Sequence, residues 1–321
     1  MTQLLTIDNL SVSFENGSKK AVRGISLELA AGEIVGLVGE SGSGKSLTAF
    51  SLMGLLPPAA SLDSGKIFFE GCDLNTLRPV ERRRLCGPGL GMVFQEPLTA
   101  LNPVLIVGEQ VAEIFRLREG YGRKEAWASA LAMLAKVGLP NPAEAAASYP
   151  HRFSGGMRQR VVIAMALALS PKVLIADEPT TALDPTIAAQ ILELLQNLAA
   201  ENSSAVLFIT HNLRLLKGLA GRVLVMYSGL VLEESSVPEI FDNPAHPYTQ
   251  GLLKALPPGL DEDAPVRLSA IGGQPPVPGK WPSGCPFSPR CKEAFEACGL
   301  ALPPFTDLGG RKVRCFLYGG K

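Results

Sequence analysis

Hydrophobic and polar positions near the N-terminus alternate as they do in half-buried strands. Residues 4–14, LLTIDNLSVSF, follow this alternation, and SLELAAGEIVGLVG repeats it before a turn at Gly32. The next five residues, Ile34–Val38, are apolar throughout, which indicates a strand buried on both faces of a parallel sheet. SGKIFFEG, bounded by glycines, predicts a further short strand.

A helical period replaces the alternation between about Val104 and Gly138, where Gly138 and Pro140 form a stop signal. Two apolar faces are predicted there, one formed by Val107, Val111, Ile114 and Phe115 and the other by Trp127, Leu131 and Leu134. The longest apolar run, Val161–Leu169, is about half of the roughly 20 residues that a membrane span needs. It therefore predicts a buried helix.

Two more buried strands, KVLIAD and AVLFIT, enclose a helix that begins at Pro185 after Asp184 as its N-cap. The predicted apolar face of this helix consists of Ile187, Ile191, Leu194 and Leu198. Strands that alternate with helices predict an α/β fold with a mostly parallel sheet.

The composition changes after Leu256. The stretches LPPGLDEDAP and GGQPPVPGKWPSG are rich in proline and glycine and have no helical period. We predict a boundary here, with one domain over residues 1–256 and a small module over residues 257–321. That module has few core residues and needs a staple to hold a shape. The length of 321 residues is typical of about two domains.

Charge and cysteine usage narrow the class of protein. Lys+Arg and Asp+Glu balance at 30 each, so the basic excess of a nucleic-acid-binding protein is absent and we expect no nucleic-acid partner. Hydrophobic residues make up 46% of the chain, enough for a sizeable core. The start, MTQLLTIDNL, lacks the layout of a signal peptide. Disulfides are therefore not expected, and clustered cysteines suggest a metal.

A phosphate-binding loop is predicted at Gly39–Ser46, where GESGSGKS matches G-x-x-x-x-G-K-S/T between the buried strand IVGLV and an apparent helix. Glycines let backbone N–H groups surround phosphate oxygens, and the helix N-terminus adds its positive dipole end. The side chain of Lys45 reaches the β- and γ-phosphates, and the Ser46 hydroxyl ligates Mg²⁺.

Two carboxylates follow the strand in LIADEP. A strand's carboxyl end is where an α/β sheet places its ligand chemistry. Asp177 is suited to hold Mg²⁺, directly or through water, and Glu178 to polarise the water that attacks the γ-phosphate.

A second anion site is predicted in RFSGGMRQR, where Ser154 is an N-cap and Gly155 and Gly156 free the backbone at a helix start. One nucleotide does not easily occupy this site and the phosphate loop together. The economical solution is a head-to-tail dimer in which the SGG of each chain closes on its partner's ATP.

These motifs resemble those of ABC-transporter ATPases over residues 4 to about 256. They occur in the family's order: the phosphate loop, the glutamine of VFQEP, FSGGM, LIADEP, TALD and THN. The resemblance implies a P-loop NTPase fold of ABC type, with a mostly parallel sheet core, an antiparallel β subdomain and an α-helical subdomain at about 98–165. A small cysteine-rich C-terminal module follows this domain.

The resemblance also assigns roles. Glu178, His211 and Gln95 are the catalytic set: His211 would contact the γ-phosphate and orient Glu178, and Gln95 would link Mg²⁺ and the attacking water to the transmembrane partner. Magnesium would be held by Ser46, Gln95 and Asp177. The ATP-binding set is Phe14 (adenine stacking), Gly39, Glu40, Ser41, Gly42, Ser43, Gly44, Lys45, Ser46, Leu47, Gln95, Asp177 and His211. The partner chain's ATP would meet Ser154, Gly155, Gly156 and, at the dimer seam, Asp184.

Within that family the chain is more similar to the oligopeptide, dipeptide and nickel importers. LTALNP, YPHRFSGGM, HPYTQGLL and GCPFSPRC match this subfamily. Met157 and Phe153 depart from the general signature but recur in the subfamily. In that subfamily the tail carries an iron–sulfur cluster on four cysteines.

Four of the six cysteines lie in the tail with the spacing C-x5-C-x6-C-x16-C: Cys285, Cys291, Cys298 and Cys315. Structural zinc sites usually use tight C-x2–4-C knuckles, so zinc is disfavoured but stays open, as do free or paired thiols. Wider loops suit a four-iron, four-sulfur cluster, in agreement with the resemblance. Cys72 and Cys86 fall outside this spacing and are expected to be ordinary small residues.

The predicted function is that of the ATP-hydrolysing subunit of an importer for short peptides, at the cytoplasmic face of the inner membrane. Expected partners are two transmembrane permease subunits, a second and homologous ATPase chain, and an extracytoplasmic substrate-binding protein. The segment from Gln95 to Gly138 is expected to receive the permease. A nickel or other small-solute importer, a soluble ABC ATPase acting on nucleic acid or ribosomes, and a non-hydrolysing regulatory subunit are the alternatives.

Overall fold

A computed structural model describes residues 3–15, 17–256 and 270–319. Its strands, in chain order, are β1 Gln3–Phe14, β2 Lys19–Ala30, β3 Ile34–Val38, β4 Ala60–Phe69, β5 Cys72–Asp73, β6 Leu90–Val93, β7 Val173–Asp177, β8 Ala205–Thr210, β9 Arg222–Tyr227, β10 Leu230–Ser236, β11 Thr306–Asp307 and β12 Lys312–Val313. The predicted all-apolar strand Ile34–Val38 is therefore confirmed, and the strand predicted in SGKIFFEG is part of the longer β4.

The α-helices are α1 Lys45–Met53, α2 Pro79–Leu85, α3 Pro97–Ala100, α4 Val107–Arg118, α5 Arg123–Lys136, α6 Pro142–Ala146, α7 Gly155–Leu167, α8 Pro185–Glu201, α9 Val237–Asp242, α10 Pro247–Ala255 and α11 Glu296–Leu300. Short 3-10 turns lie at Leu74–Thr76, Pro150–Arg152, Leu213–Leu216 and Ser288–Arg290. Among the described residues, no helix combines the length and the apolar character that crossing a membrane requires.

The chain divides into two compact units. The helical unit contains Leu29–Glu33 and Thr76–Leu207, and the phosphate-loop unit contains Leu5–Glu28, Ile34–Asn75 and Phe208–Lys321. The boundary predicted after Leu256 falls at the start of residues 257–269, which lie outside the described residues.

In the helical unit, β6 and β7 pair in parallel with Leu90 opposite Val173 and Val93 opposite Ala176. Both strands are fully buried, which agrees with their apolar sequences. Helix α4 buries Val107, Val111 and Phe115 as predicted.

Two predicted helix faces in this unit are rotated. Helix α5 buries Ala126, Ala130 and Leu134, while Trp127 and Leu131 are half-buried. Helix α8 buries Ile191, Leu195, Leu198 and Ala199, while Ile187 and Leu194 are half-buried. In α5 the small alanines fit the closest helix contacts and Trp127 lies beside them, whereas in α8 the buried stripe still consists mainly of bulky side chains.

The phosphate-loop unit contains two sheets. The first has the order β2-β1-β4-β5, with β1 antiparallel to β4. The second is mixed: β3 pairs in parallel with β9, and β10, β12 and β11 extend it antiparallel. The C-terminal strand β12 pairs with β10 through Glu233 and Val313, so the tail shares a sheet with residues that precede it by about eighty positions along the chain.

Candidate functional site

The phosphate loop connects β3 to α1, and Gly44 is its turning point. Gly44 has φ 103°, a left-handed conformation that glycine adopts without strain. A β-carbon there would lie 2.7 Å from Met226 Cε and 2.8 Å from the Ala21 carbonyl oxygen. The loop therefore requires glycine at this position both for its conformation and for its close contacts.

Lys45 is the first residue of α1 and is only 4% exposed. Its Nζ donates to the carbonyl oxygens of Gly39 at 2.8 Å and Glu40 at 3.0 Å. These bonds hold the ammonium group inside the curve of the loop, next to the N-terminus of a nine-residue helix. Both the charge and the helix dipole favour anions at this point.

Glu40, the second residue of the loop, is held at two places. Its backbone N–H donates to the Tyr248 hydroxyl at 3.0 Å, and its Oε2 pairs with Arg290 Nη1 at 2.8 Å. Sequence reasoning found neither partner, because they lie 208 and 250 residues further along the chain.

In the helical unit, the register of β6 and β7 brings Gln95 beside Glu178. Val93 lies opposite Ala176, and Gln95 and Glu178 each follow this pair by two residues. Gln95 Nε2 donates to Glu178 Oε2 at 3.2 Å. Asp177, the last residue of β7, is 2% exposed. The structure thus brings together three of the predicted catalytic and magnesium-binding residues.

Thr181 is a contact of Glu178 that the sequence did not predict. Its Oγ1 donates to Glu178 Oε2 at 2.9 Å, and its N–H donates to the Glu178 carbonyl at 3.2 Å. Glu178 itself has φ 46°, a left-handed conformation that is unusual for a residue with a side chain. The threonine hydroxyl therefore fixes a carboxylate that stands on a strained turn. A hydroxyl three residues beyond the carboxylate is the only sequence signal for this role.

Ser154 is the N-cap of α7, as predicted, and its Oγ accepts from the Met157 N–H at 3.3 Å. Asp184 caps α8 in the same way, because its Oδ1 accepts from the Ile187 N–H at 3.0 Å. A β-carbon on Gly156 would lie 2.6 Å from Ile187 Cγ2. The two helix starts are thus packed directly together, and both Ser154 and Asp184 are exposed.

The segment after Gln95 is braced by Gln110, whose carboxamide is buried. Gln110 Oε1 accepts from the Asn102 N–H at 2.9 Å, and its Nε2 donates to the carbonyls of Asn102 and Leu105, both at 3.0 Å. Around this brace the apolar side chains of Leu98, Val104 and Leu105 are exposed.

The other predicted nucleotide residues lie in the phosphate-loop unit. Phe14 is half-buried at the end of β1, and His211 is exposed directly after β8. Residues 41–47 continue the loop into α1. The predicted site residues are therefore divided between the two units.

The four tail cysteines line one pocket. Cys285, Cys298 and Cys315 are buried and Cys291 is half-buried. Burial raises the pKa of the Cys285 thiol to about 11 and also raises the pKa values of Cys291 and Cys315. Over the part of the chain that the structure describes, no group of three or more His, Cys, Asp or Glu side chains is arranged to hold a metal ion. Cys72 is exposed and Cys86 half-buried.

His246 lines the same pocket and is 1% exposed. Its Nδ1 accepts from the Tyr248 N–H at 3.0 Å, which caps α10. Its Nε2 is buried and has no hydrogen-bond partner among the described residues. Burial lowers the pKa of His246 to about 3, so the ring is neutral near pH 7. Since Nδ1 is the acceptor, Nε2 carries the proton.

Comparison with known proteins identifies the family. Residues 22–181 match the family described as ABC transporter, and residues 232–298 match the one described as Oligopeptide/dipeptide transporter, C-terminal region. The Oligopeptide transport ATP-binding protein AppD of Bacillus subtilis is 44% identical over 99% of this chain and 98% of its own. The chain belongs to the ABC transporter ATP-binding proteins.

Another relative of this ABC transporter ATP-binding protein is the Dipeptide transport ATP-binding protein DppD of Bacillus subtilis, 47% identical over 99% of this chain and 95% of its own. A solved structure of the ATP-binding cassette MJ0796, described as dimeric, post-hydrolysis and bound to ADP and Pi, has a TM-score of 0.65. It is 29% identical and covers 73% of this chain and 98% of that chain. These similarities confirm the ABC ATPase fold.

The two matched segments divide the site residues of this ABC transporter ATP-binding protein. The first contains the phosphate loop, Gln95, the Ser154 signature, Asp177 and Glu178. The second contains His246 and the first three tail cysteines, while Cys315 lies beyond it.

Proposed function

We propose that this chain is the ATP-hydrolysing subunit that powers import of short peptides through a membrane ABC transporter. The observation that carries the proposal is the hydrogen bond of Gln95 to Glu178, at the carboxyl ends of two parallel strands. It is supported by relatives over nearly the whole chain whose names are those of oligopeptide and dipeptide transport ATP-binding proteins.

In this mechanism Lys45 and the backbone of residues 42–47 bind the phosphates of ATP. Glu178 polarises the attacking water, with its carboxylate oriented by Gln95 and Thr181. His211 contacts the γ-phosphate, and Phe14 stacks on adenine. Ser46, Asp177 and Gln95 are oxygen donors of the type that magnesium prefers. Bound Mg²⁺ would neutralise charge on the phosphates.

We further propose that two such ATPase chains, homologous but not identical in sequence, close head to tail on ATP. Ser154, Gly155, Gly156 and Asp184 would then meet the partner's nucleotide. The exposure and mutual packing of these two helix starts support this role, as does the dimeric state named for the related cassette MJ0796.

We propose that the exposed apolar side chains of Leu98, Val104 and Leu105 receive a permease subunit at the cytoplasmic face of the inner membrane. An apolar surface on a rigid support is typical of a protein contact, and the buried Gln110 carboxamide supplies that support. The full system would include two permease subunits and an extracytoplasmic binding protein that selects the solute.

For the tail we propose a four-iron, four-sulfur cluster on Cys285, Cys291, Cys298 and Cys315. The support for this proposal is that all four thiols line one pocket and that thiolates are the usual ligands of such a cluster, while the described thiols do not surround a site for a single metal ion. The orphaned Nε2–H of His246 in that pocket fits it as well. The cluster would act as a structural staple for residues 270–319, whose buried Val313 and Cys315 pack with Ala245 of the preceding segment.

The test is purification of the chain with its membrane partners, identification of the bound solute, and an ATPase assay of the complex. We expect ATPase activity that peptide-loaded binding protein stimulates. A complex stimulated by nickel or another small solute instead would contradict the peptide assignment. An ATPase that recovered only nucleic acid or ribosomes would contradict the transport function as a whole.

A further inference from the structure

Arg290 connects the C-terminal tail to the phosphate loop. It precedes Cys291, and its side chain is only 5% exposed. Its Nη1 lies 2.8 Å from Glu40 Oε2 and 3.1 Å from the Tyr227 hydroxyl. A charged side chain is rarely buried to this extent without a partner of opposite charge, and here the partner is a residue of the phosphate loop itself.

The other two guanidinium nitrogens of Arg290 are also engaged. Nε donates to the Gly272 carbonyl at 2.9 Å and Nη2 to the Ile271 carbonyl at 3.3 Å. The guanidinium carbon lies 6.0 Å from the centre of the Phe287 ring. The planar guanidinium group of Arg290 is therefore fixed in one orientation. This orientation fixes the position of the Glu40 carboxylate, which pairs with Nη1.

The position of Glu40 explains why it needs this partner. A carboxylate in a loop that binds phosphates adds negative charge where negative charge is unfavourable. The bond of its N–H to Tyr248 also removes that donor from the set available to phosphate. Pairing with Arg290 neutralises the side chain and holds it in a fixed place beside Tyr227.

We propose that Arg290 is a positioning residue for the phosphate loop, which compensates the charge of Glu40 and makes ATP affinity depend on the folded tail. This proposal rests on ATP binding at the loop. In this proposal the tail does more than hold its own residues together, because it also fixes the conformation of the phosphate loop.

The test is a double-mutant cycle in the full-length chain, with the Kd of a fluorescent ATP analogue as the readout. We expect Arg290→Gln to raise this Kd by about tenfold in the wild-type background, since it leaves a unit charge uncompensated near the phosphates. In the Glu40→Gln background the same change should have little effect, because no charge remains to compensate. Arg314→Gln, which alters another tail arginine that is bonded to a backbone carbonyl, is the matched control and should leave the Kd unchanged.

An equal rise of the Kd in both backgrounds would overturn the proposal, because it would mean that Arg290 only holds the tail through Ile271 and Gly272. An unchanged Kd of Arg290→Gln in the wild-type background would also overturn the proposal. A wild-type chain that bound no ATP analogue would contradict the proposed function together with this proposal, so the two failures are distinguishable.

A different observation carries a second inference. The buried Nε2–H of His246 has no partner among the described residues, although the ring lines the pocket of the four cysteines. A buried donor without an acceptor is costly, and sulfur atoms in that pocket would accept from it. We infer that His246 donates a hydrogen bond to the group that the cysteines hold, which rests on the proposed cluster.

The readout for this inference is the reduction potential of the anaerobically purified protein, titrated with dithionite and followed by electron paramagnetic resonance. A hydrogen bond to a cluster sulfur stabilises the more negative reduced state. His246→Leu should therefore lower the potential, while His246→Gln, which keeps an N–H donor and an acceptor, should stay closer to wild type. An unchanged potential in His246→Leu at unchanged iron content would overturn the inference. Iron-free wild-type protein would contradict it together with the cluster.

Discussion

Gln95 Nε2 and Glu178 Oε2 lie 3.2 Å apart, although 83 residues separate them in sequence. The same separation of 83 runs through the whole register of β6 and β7, from Leu90 opposite Val173 to Val93 opposite Ala176. The contact is therefore a direct extension of strand pairing beyond the strand ends. A one-residue slip of either strand would move one side chain to the other face of the sheet and separate the pair.

Glu178→Gln should bind ATP normally and lose nearly all turnover, trapping a closed dimer. The loss of the group that polarises water should raise the barrier by about 3–4 kcal/mol, which is about 10²–10³ in rate. Turnover of the assembled complex and the Kd of ATP are the measurements. Glu193→Gln, on the exposed side of α8, is the control. Normal turnover in Glu178→Gln would mean that another group activates the water.

Thr181→Val should lower kcat by about tenfold with little change in KM, because it removes one hydrogen bond to the catalytic carboxylate. Thr181→Ser keeps the hydroxyl and should restore most of the rate. Thr180→Val alters the neighbouring residue of the same loop and serves as control. Equal losses from both valine variants would indicate a general disturbance of the loop instead of the orientation of Glu178.

Ser154→Arg should leave the chain's own phosphate loop able to bind ATP but block closure on the partner's nucleotide. The control is Ser236→Arg, since Ser236 is also an exposed serine N-cap, accepting from the Glu239 N–H at 3.4 Å. Each change loses one cap, worth about 1 kcal/mol, but only Ser154 faces the proposed seam. ATP-dependent dimerisation of a hydrolysis-deficient background is the measurement. Dimerisation that survives Ser154→Arg would argue against the head-to-tail arrangement.

Val104→Asp should uncouple ATP hydrolysis from the permease while leaving ATP binding intact. Val80→Asp is the control, because the Val80 side chain is also exposed in the helical unit but lies outside the segment from Gln95 to Gly138. The measurement is ATPase stimulation in the reconstituted complex, together with crosslinks from cysteines placed in LTALNP. Crosslinks that form only elsewhere on the ATPase would exclude this surface.

Cys291→Ser should abolish the brown colour and the broad absorbance near 400 nm that about four irons per chain would give. The tail should then become sensitive to proteolysis while ATP still binds. Cys72→Ser, at an exposed position outside the pocket, should keep the iron. A colourless anaerobic preparation with one zinc per chain would show that the cysteines hold zinc.

The strands were predicted well from the sequence. A five-residue apolar run such as Ile34–Val38 must be buried on both faces, which favours a strand in the interior of a sheet. Helix faces were less predictable. In α8 the pattern favoured Leu194, yet Leu195 is buried, because adjacent leucines satisfy a helical period equally and only the neighbouring helix selects between them. In α5 the buried stripe contains alanines, which a hydrophobic pattern weights less than Trp127.

For the site, local motifs identified residues whose role depends on a short loop, such as Lys45 and Glu178. They did not identify Arg290 or Tyr248, because these partners of Glu40 lie more than 200 residues away and no motif joins them to the loop. Gln110 was missed for another reason. Its bonds replace backbone pairing in an irregular segment, and a single glutamine on a helix gives no sequence signal of that task.

The left-handed backbone of Glu178, at φ 46°, has a consequence for how this protein can evolve. A residue with a side chain pays about 1 kcal/mol or more for this conformation, and glycine would not. Mutational selection for heat resistance alone would therefore favour replacing the very residue that turnover needs. Only selection for transport keeps a residue with a side chain at this position. If that selection were lost, Glu178 should be among the first residues to be replaced.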